Sequence, residues 1–447
     1  VTDLATVRSR FVILTALRWL PIGLIAPSLV LLLSARGMSL ASIGLLTAVY
    51  SAATLLLELP TGGLSDVIGR RPVMIAAAVV GAVSALLLAF ATTPGWLAAA
   101  FLLMGLSRAL DSGPLQAWYV DSVHAIDPDA DLTRGLSRAG VAESVALAAG
   151  ALGAGALAAT VPLPSSGAIV IALSVPFIFK AALAVLQVAV VARWVTDTTA
   201  PTAADAVAAP LAAAVTLGSP WARLRLRTVE TARDVPRAIG RGLRLAAHRR
   251  ALQRLLLLTA ALGAALSGIE LLAPAHAADL LGGATAAAGP YAVLVTAGFL
   301  GSASGSALAP LAMRAARGAA RAAMLATLAG AVALAAIAVP QPWGAGAAFV
   351  GFYLFLGIAG PLTEELMHRE VSSAERATML SLNSMALQAT AIVVTAGLGA
   401  FAGATSIAAA FAAIAVALAL GALTLARWPG VRRPATASAA QRQPSAQ

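Results

Sequence analysis

The residues able to do chemistry in this sequence are the few ionisable and polar ones set inside long apolar runs. In one such run Gly105, Arg108, Asp111, Ser112, Gln116 and Tyr119 fall within about 140° of helix surface at about 100° per residue, a polar stripe on an otherwise apolar helix. Arg108 and Asp111 are three residues apart, the spacing of a pair along one helix face, and the stripe is expected to face a cavity. Arg18, Glu58, Lys180 and Glu270 each interrupt another apolar run. A charge at mid-bilayer costs at least about 2.5–3.5 kcal/mol on insertion scales, so such residues are expected to have partners and a function. The set suits recognition of a charged small molecule and exchange of protons. It does not suit covalent or metal chemistry: the chain has no Cys, and His124, His248, His276 and His368 show no ligand spacing. Without a Gly-x-x-x-x-Gly-Lys-Ser/Thr loop it lacks the motif that would cradle ATP. No cofactor and no metal are expected.

The elements that must position these residues are membrane helices. Of 447 residues, 60% are hydrophobic and 11% charged, against roughly 25% charged in soluble domains. The sequence divides into twelve stretches long enough to cross a bilayer. Spans 1 to 6 are expected near residues 11–33, 40–62, 72–91, 96–120, 137–160 and 167–192; spans 7 to 12 near 255–273, 289–313, 322–339, 344–366, 378–400 and 407–425. The expected fold is all-α: an N-terminal six-helix bundle (1–193), a linker (194–250), a C-terminal six-helix bundle (251–428) and a disordered tail (429–447). Within the linker, Val235, Ile239 and Leu243 recur at helical spacing among Arg237, Arg241 and Arg244, an amphipathic pattern suited to an anionic membrane surface.

The net charge of +11 reports topology, not nucleic-acid binding. Arg18, Arg108 and Lys180 lie inside spans and Arg36 lies in a loop on one side. The other basic residues fall in segments that share the opposite side, which the positive-inside rule makes cytoplasmic, with both termini. Arg18 and Glu58 lie at similar depth and are natural partners. Lys180 lies near the depth of Asp111 and can bridge to it. Glu270 sits high in span 7, while Glu364 and Glu365 sit low in span 10. Cations on one wall and carboxylates on the other would hold an amphipathic or zwitterionic molecule.

Between spans 2 and 3 the chain reads Glu58-Leu59-Pro60-Thr61-Gly62-Gly63-Leu64-Ser65-Asp66-Val67-Ile68-Gly69-Arg70-Arg71. This resembles the signature loop of the major facilitator superfamily, Gly-x-Leu-x-Asp-x-x-Gly-Arg-Arg, and its Glu-x-Pro-Thr-Gly lead-in is similar to that of bacterial drug-efflux members. Arg376 to Ser381, at the start of span 11, resembles another recurrent segment of that subgroup. Gly69 permits a tight turn. The resemblance implies a conformational latch of Gly62, Leu64, Asp66, Gly69, Arg70 and Arg71. It makes the N-terminal end of span 11 the partner of Asp66, while Asp121, at the inner end of span 4, is the best local carboxylate for Arg70 or Arg71. The corresponding loop of the second half keeps glycines and Arg314, Arg317 and Arg321 without an acidic residue. Arg108 to Gly113 only loosely resembles the superfamily's span-4 motif Arg-x-x-Gln-Gly, with Asp in place of Gln and a Ser inserted.

The resemblance implies secondary active transport by a monomer, with a small-molecule substrate, protons as the coupling ion and the lipid bilayer as surroundings. Efflux of hydrophobic or amphipathic compounds is the leading expectation. Uptake of a metabolite is the alternative, and a membrane sensor or scaffold a further one. Arg in place of Lys and an initial Val1 suggest a GC-rich bacterium and its inner membrane.

Overall fold

The computed structural model describes residues 3–62, 64–196, 249–371, 373–426 and 428; the side chains at 59, 60, 62, 66, 67, 373–378, 380 and 381 lie outside that description. The amphipathic linker segment around Val235, Ile239 and Leu243 and the tail expected over 429–447 therefore lie outside the described residues. Among the described residues ten helical stretches, with Leu4–Ala35 taken as one, are long and apolar enough to cross a membrane. The other two spans are the fourth, broken into Pro94–Leu110 and Pro114–His124, and the twelfth, Ile407–Leu423.

Sequence punctuation sets where these helices begin. Proline occupies the first turn of Pro94–Leu110, Val175–Trp194 and Pro342–Glu370, where its missing N–H removes no helical bond. Ser406 accepts from the Ala409 amide at 3.0 Å and caps span 12. Two expected boundaries are corrected. Span 1 is two helices, Leu4–Ile25 and Leu29–Ala35, because Pro27 cannot donate to the ladder across the junction. Span 6 begins at Val175, after a short 3-10 turn, instead of at Gly167.

Packing shows the internal symmetry. In the first half span 1 packs on spans 5 and 6, span 4 on spans 2 and 3, and span 3 on span 6; in the second half span 7 packs on 11 and 12, span 10 on 8 and 9, and span 9 on 12. Each pairing recurs six spans later. The halves join through span 2 on span 11 and span 5 on span 8, which the same shift exchanges. Two six-helix bundles related by a pseudo-twofold axis satisfy all these pairings.

Close backbone approach holds the bundles together away from the Arg-rich face. A Cβ on Gly44 would stand 2.2 Å from the Thr395 carbonyl oxygen, and one on Gly399 2.2 Å from that of Leu40. The Thr296 hydroxyl donates to the Ala148 carbonyl at 3.3 Å across the span 5–span 8 contact. Leu271, which also lies against Gly44, lines the cavity described next.

Candidate functional site

A cavity of about 350 Å³ lies between the bundles, lined by spans 1, 2, 3, 4 and 6 on one side and spans 7, 8 and 10 on the other. Five of the residues expected from sequence meet there: Arg18, Arg108, Asp111, Lys180 and Glu270. They come from four spans, and the cavity is where the bundle brings them together.

The break in span 4 organises the first wall. Gly113 adopts φ +96°, a left-handed conformation open to glycine at little cost, and Pro114 restarts the helix without an N–H. The carbonyls ending the upper segment lose helical partners and need others. Arg18 supplies one, donating through Nη2 to the Asp111 carbonyl at 3.0 Å while its Nε pairs with the Asp111 carboxylate. Thr61 supplies another, its hydroxyl donating to the Ala109 carbonyl at 3.0 Å. One helical turn from Thr61, Glu58 accepts from the Ser112 hydroxyl at 3.2 Å. The Glu-x-Pro-Thr lead-in of the signature loop thus clamps the span 4 break.

Two expected pairings are corrected by this arrangement. Asp111 pairs with Arg18 from another span and not with Arg108, and Glu58 is held by Ser112 and not by Arg18. Depth along the helix does not settle such pairings, because the side of the helix on which each neighbour lies is set by packing. Arg108 instead lies over the Trp19 ring at 5.9 Å, with Arg18 over the same ring at 5.2 Å, and it interacts with Tyr50. Lys180 is within electrostatic reach of Asp111 without a direct ion pair among the described residues.

Sequence reasoning missed several participants. Glu143 of span 5 lies within electrostatic reach of Arg18 and Arg108; it is the only acidic residue of that span, the same signal that marked the others. Three of the chain's four tyrosines, Tyr50, Tyr291 and Tyr353, line the cavity. The second wall is aromatic: Tyr291 and Phe349 have ring centroids 6.1 Å apart, Phe349 and Tyr353 5.0 Å, Phe299 and Tyr353 6.5 Å. Glu270 stands within electrostatic reach of Tyr50, Tyr291 and Tyr353. Glu364 is exposed and Glu365 pairs with Arg369 one turn on, so Glu270 is the carboxylate this wall contributes to the cavity lining.

The polar stripe does not continue below the break. Gln116 is exposed and Ser112 half-buried, and neither lines the cavity. Tyr119 is fully buried, stacked on Phe11 at 4.1 Å, with its hydroxyl donating to the Leu132 carbonyl at 3.3 Å. Gly105 packs against span 2, where a Cβ would stand 2.7 Å from the Tyr50 carbonyl oxygen. A wheel at about 100° per residue presumes a continuous helix, and Gly113 ends that continuity.

The signature loop forms the short helix Leu64–Ile68, and Gly69 then turns at φ +93° into span 3, which starts at Arg70. Gly318 makes the matching turn before span 9, at φ +153°. Arg70 pairs with Asp121 of span 4, Leu64 packs beside Val73 and Leu110, and Arg71 is exposed. The side chain of Asp66, like its expected partner at the start of span 11, lies outside the described residues; Gly62 is placed at the end of span 2. Because the Asp121 side chain is 46% exposed, solvent screens its pair with Arg70. Asp121→Asn is expected to change folding stability by less than about 1 kcal/mol and yet to slow transport, measured as turnover at matched expression. Unchanged turnover would limit the pair to fixing the loop.

Twin six-helix bundles, a pseudo-twofold relation between them and a charged cavity lined by both define a membrane transporter fold. Comparison with known proteins gives the family. The Major Facilitator Superfamily family model matches residues 11–367, and the chain belongs to that superfamily. Its structure is similar to the crystal structure of the nucleoside transporter NupG, at 14% identity and TM-score 0.70 over 95% of this chain and 100% of that one. It is similar also to a peptide transporter POT in complex with sulfate, at 16% identity and TM-score 0.67 over 94% and 93%. A POT family transporter in complex with 5-aminolevulinic acid matches at 12% identity and TM-score 0.65 over 94% and 95%. A search of curated proteins finds no match.

Proposed function

We propose that this protein is a proton-coupled secondary transporter that exports amphipathic small molecules by alternating access. The observation that carries the reading is the cavity between the bundles, lined from both and containing Arg18, Arg108, Asp111, Lys180 and Glu270. Because spans 2 and 11 and spans 5 and 8 exchange under the internal symmetry, rocking the bundles can trade contacts on one face for contacts on the other. One proton moving through 100 mV supplies about 2.3 kcal/mol, and Asp111 and Glu270 are protonatable groups in the cavity lining. The aromatic wall suits an apolar body, and the Glu58-Leu59-Pro60-Thr61-Gly62 lead-in favours export over uptake. In this reading the Arg-rich face is cytoplasmic, the membrane is a bacterial inner membrane, and the loop around Asp66, Arg70 and Arg71 latches one state.

Inverted membrane vesicles test the reading. With the lumen acidified, a library of amphipathic compounds should yield members that accumulate, and each should release protons from the lumen as it enters. Accumulation only in right-side-out vesicles would make the protein an importer. Accumulation untouched by a protonophore would remove proton coupling.

A further inference from the structure

The cavity sorts its charges by bundle. Asp111 is engaged by Arg18 through both carboxylate and carbonyl; Arg108 and Lys180 line the first wall of the cavity with Glu143 and Asp111 within electrostatic reach but without a direct ion pair among the described residues. The facing wall carries Glu270 without a cation beside it among the described residues. Unpaired charges in a site shielded from bulk water are costly, and a ligand of complementary charge offsets that cost at both ends. The surroundings of the two ends differ as well. Arg108 lies over the Trp19 ring and interacts with Tyr50, and its guanidinium is a flat donor-rich face that suits an anionic oxygen group. Glu270 lines the cavity together with Tyr50, Tyr291 and Tyr353, and a carboxylate that shares a lining with aromatic rings suits an organic ammonium.

We propose that the transported molecule is a small zwitterion that bridges the two bundles. Its anionic group, carboxylate or phosphate, docks on Arg108 and Lys180; its ammonium docks on Glu270; its apolar body lies against Tyr291, Phe349 and Tyr353. The proposal rests on the transport reading and deepens it. A molecule held at one end by each bundle couples their relative motion, because either bundle moving alone stretches a charge pair. A volume of about 350 Å³ sits at the lower end of the usual range for small-molecule pockets, about 300–1,000 Å³, which sets the size of the ligand.

Binding without any gradient tests this separately from proton coupling and direction. The purified full chain in nanodiscs is screened by thermal stabilisation against four equal sets built on shared apolar bodies: zwitterions, monocations, monoanions and neutral compounds. The zwitterion set should hold the strongest stabilisers. Glu270→Gln should weaken them by about thirtyfold or more and move the preference toward monoanions. Arg108→Gln with Lys180→Gln should weaken them similarly and move it toward monocations. Carboxylate and phosphate members of the zwitterion set distinguish the anionic group. A screen led by monocations or neutral compounds, one without a stabilising zwitterion, or variants that weaken every set equally would overturn the proposal. The unliganded melting of each variant shows that it is folded, and inverted vesicles that export a monocation would leave the transport reading standing while this one falls.

Discussion

Arg18→Met is expected to destabilise the folded protein by about 3–5 kcal/mol, the cost of breaking a buried ion pair by removing one partner. Arg18 and Asp111 have side chains 18% and 17% exposed, so water does little to replace the lost partner. Arg18 also satisfies the Asp111 carbonyl, and its removal strands that group at the end of the upper segment of span 4. Asp111→Asn should cost less, because the carbonyl keeps its donor and no carboxylate is left behind. The double variant should recover much of the loss, since replacing both charges removes the desolvation cost together with the attraction. Thermal unfolding of the four proteins in one detergent completes the cycle. Equal and additive losses would show that the two residues do not act as a unit. Transport separates stability from function: the double variant should fold and fail to couple substrate movement to protons.

The pattern behind this expectation was only partly legible in the sequence. Twelve apolar stretches, the asymmetry of the arginines and the signature loop were enough for the fold, because hydrocarbon thickness and the insertion cost of charge act on local sequence. Intramembrane charge was legible as a mark: Arg18, Arg108, Asp111, Lys180 and Glu270 all line one cavity. Partners were not. The i,i+3 spacing of Arg108 and Asp111 favours a pair only when nothing stronger is near, and Arg18, 93 residues earlier, offers two donors to the same residue. Gly113 and Pro114 marked a loosened backbone, but the rotation of the segment below it depends on what that segment packs against. Glu143 was legible by the rule that marked Glu58. The aromatic wall was not, because Phe and Tyr are ordinary residues of an apolar span.

The signature loop divides in the same way. Gly69 takes the positive-φ turn that its place in the motif requires, and Arg70 reaches Asp121, the carboxylate at the inner end of span 4. The lead-in holds what local reading could not supply. Glu58 and Thr61 are three residues apart on one helix face, and both bond to the break in span 4. These short bonds join the lead-in of the loop to the segment that presents Arg108 and Asp111 to the cavity.

Tyr119→Ala is expected to destabilise the protein by about 3–5 kcal/mol, the range for truncating a buried aromatic ring, although the sequence reading placed this residue in the substrate cavity. Its ring is fully buried and stacked on Phe11. It also fills the place beside Gly135, where a Cβ would stand 2.0 Å from the Tyr119 hydroxyl oxygen. Between membrane helices this packing carries much of the association energy, since lipid tails are as apolar as the side chains they compete with. The hydroxyl contributes one hydrogen bond, to Leu132, worth about 0.5–1.5 kcal/mol. Tyr119→Phe should therefore lower the melting temperature slightly and leave substrate affinity unchanged, while Tyr119→Ala should lose most of its folded yield. Phe11→Ala should reproduce the second effect, and the two truncations should be less than additive because they open one shared void. A Tyr119→Phe variant that keeps its stability but loses affinity would return this residue to the substrate path and require the lower segment of span 4 to rotate during the cycle.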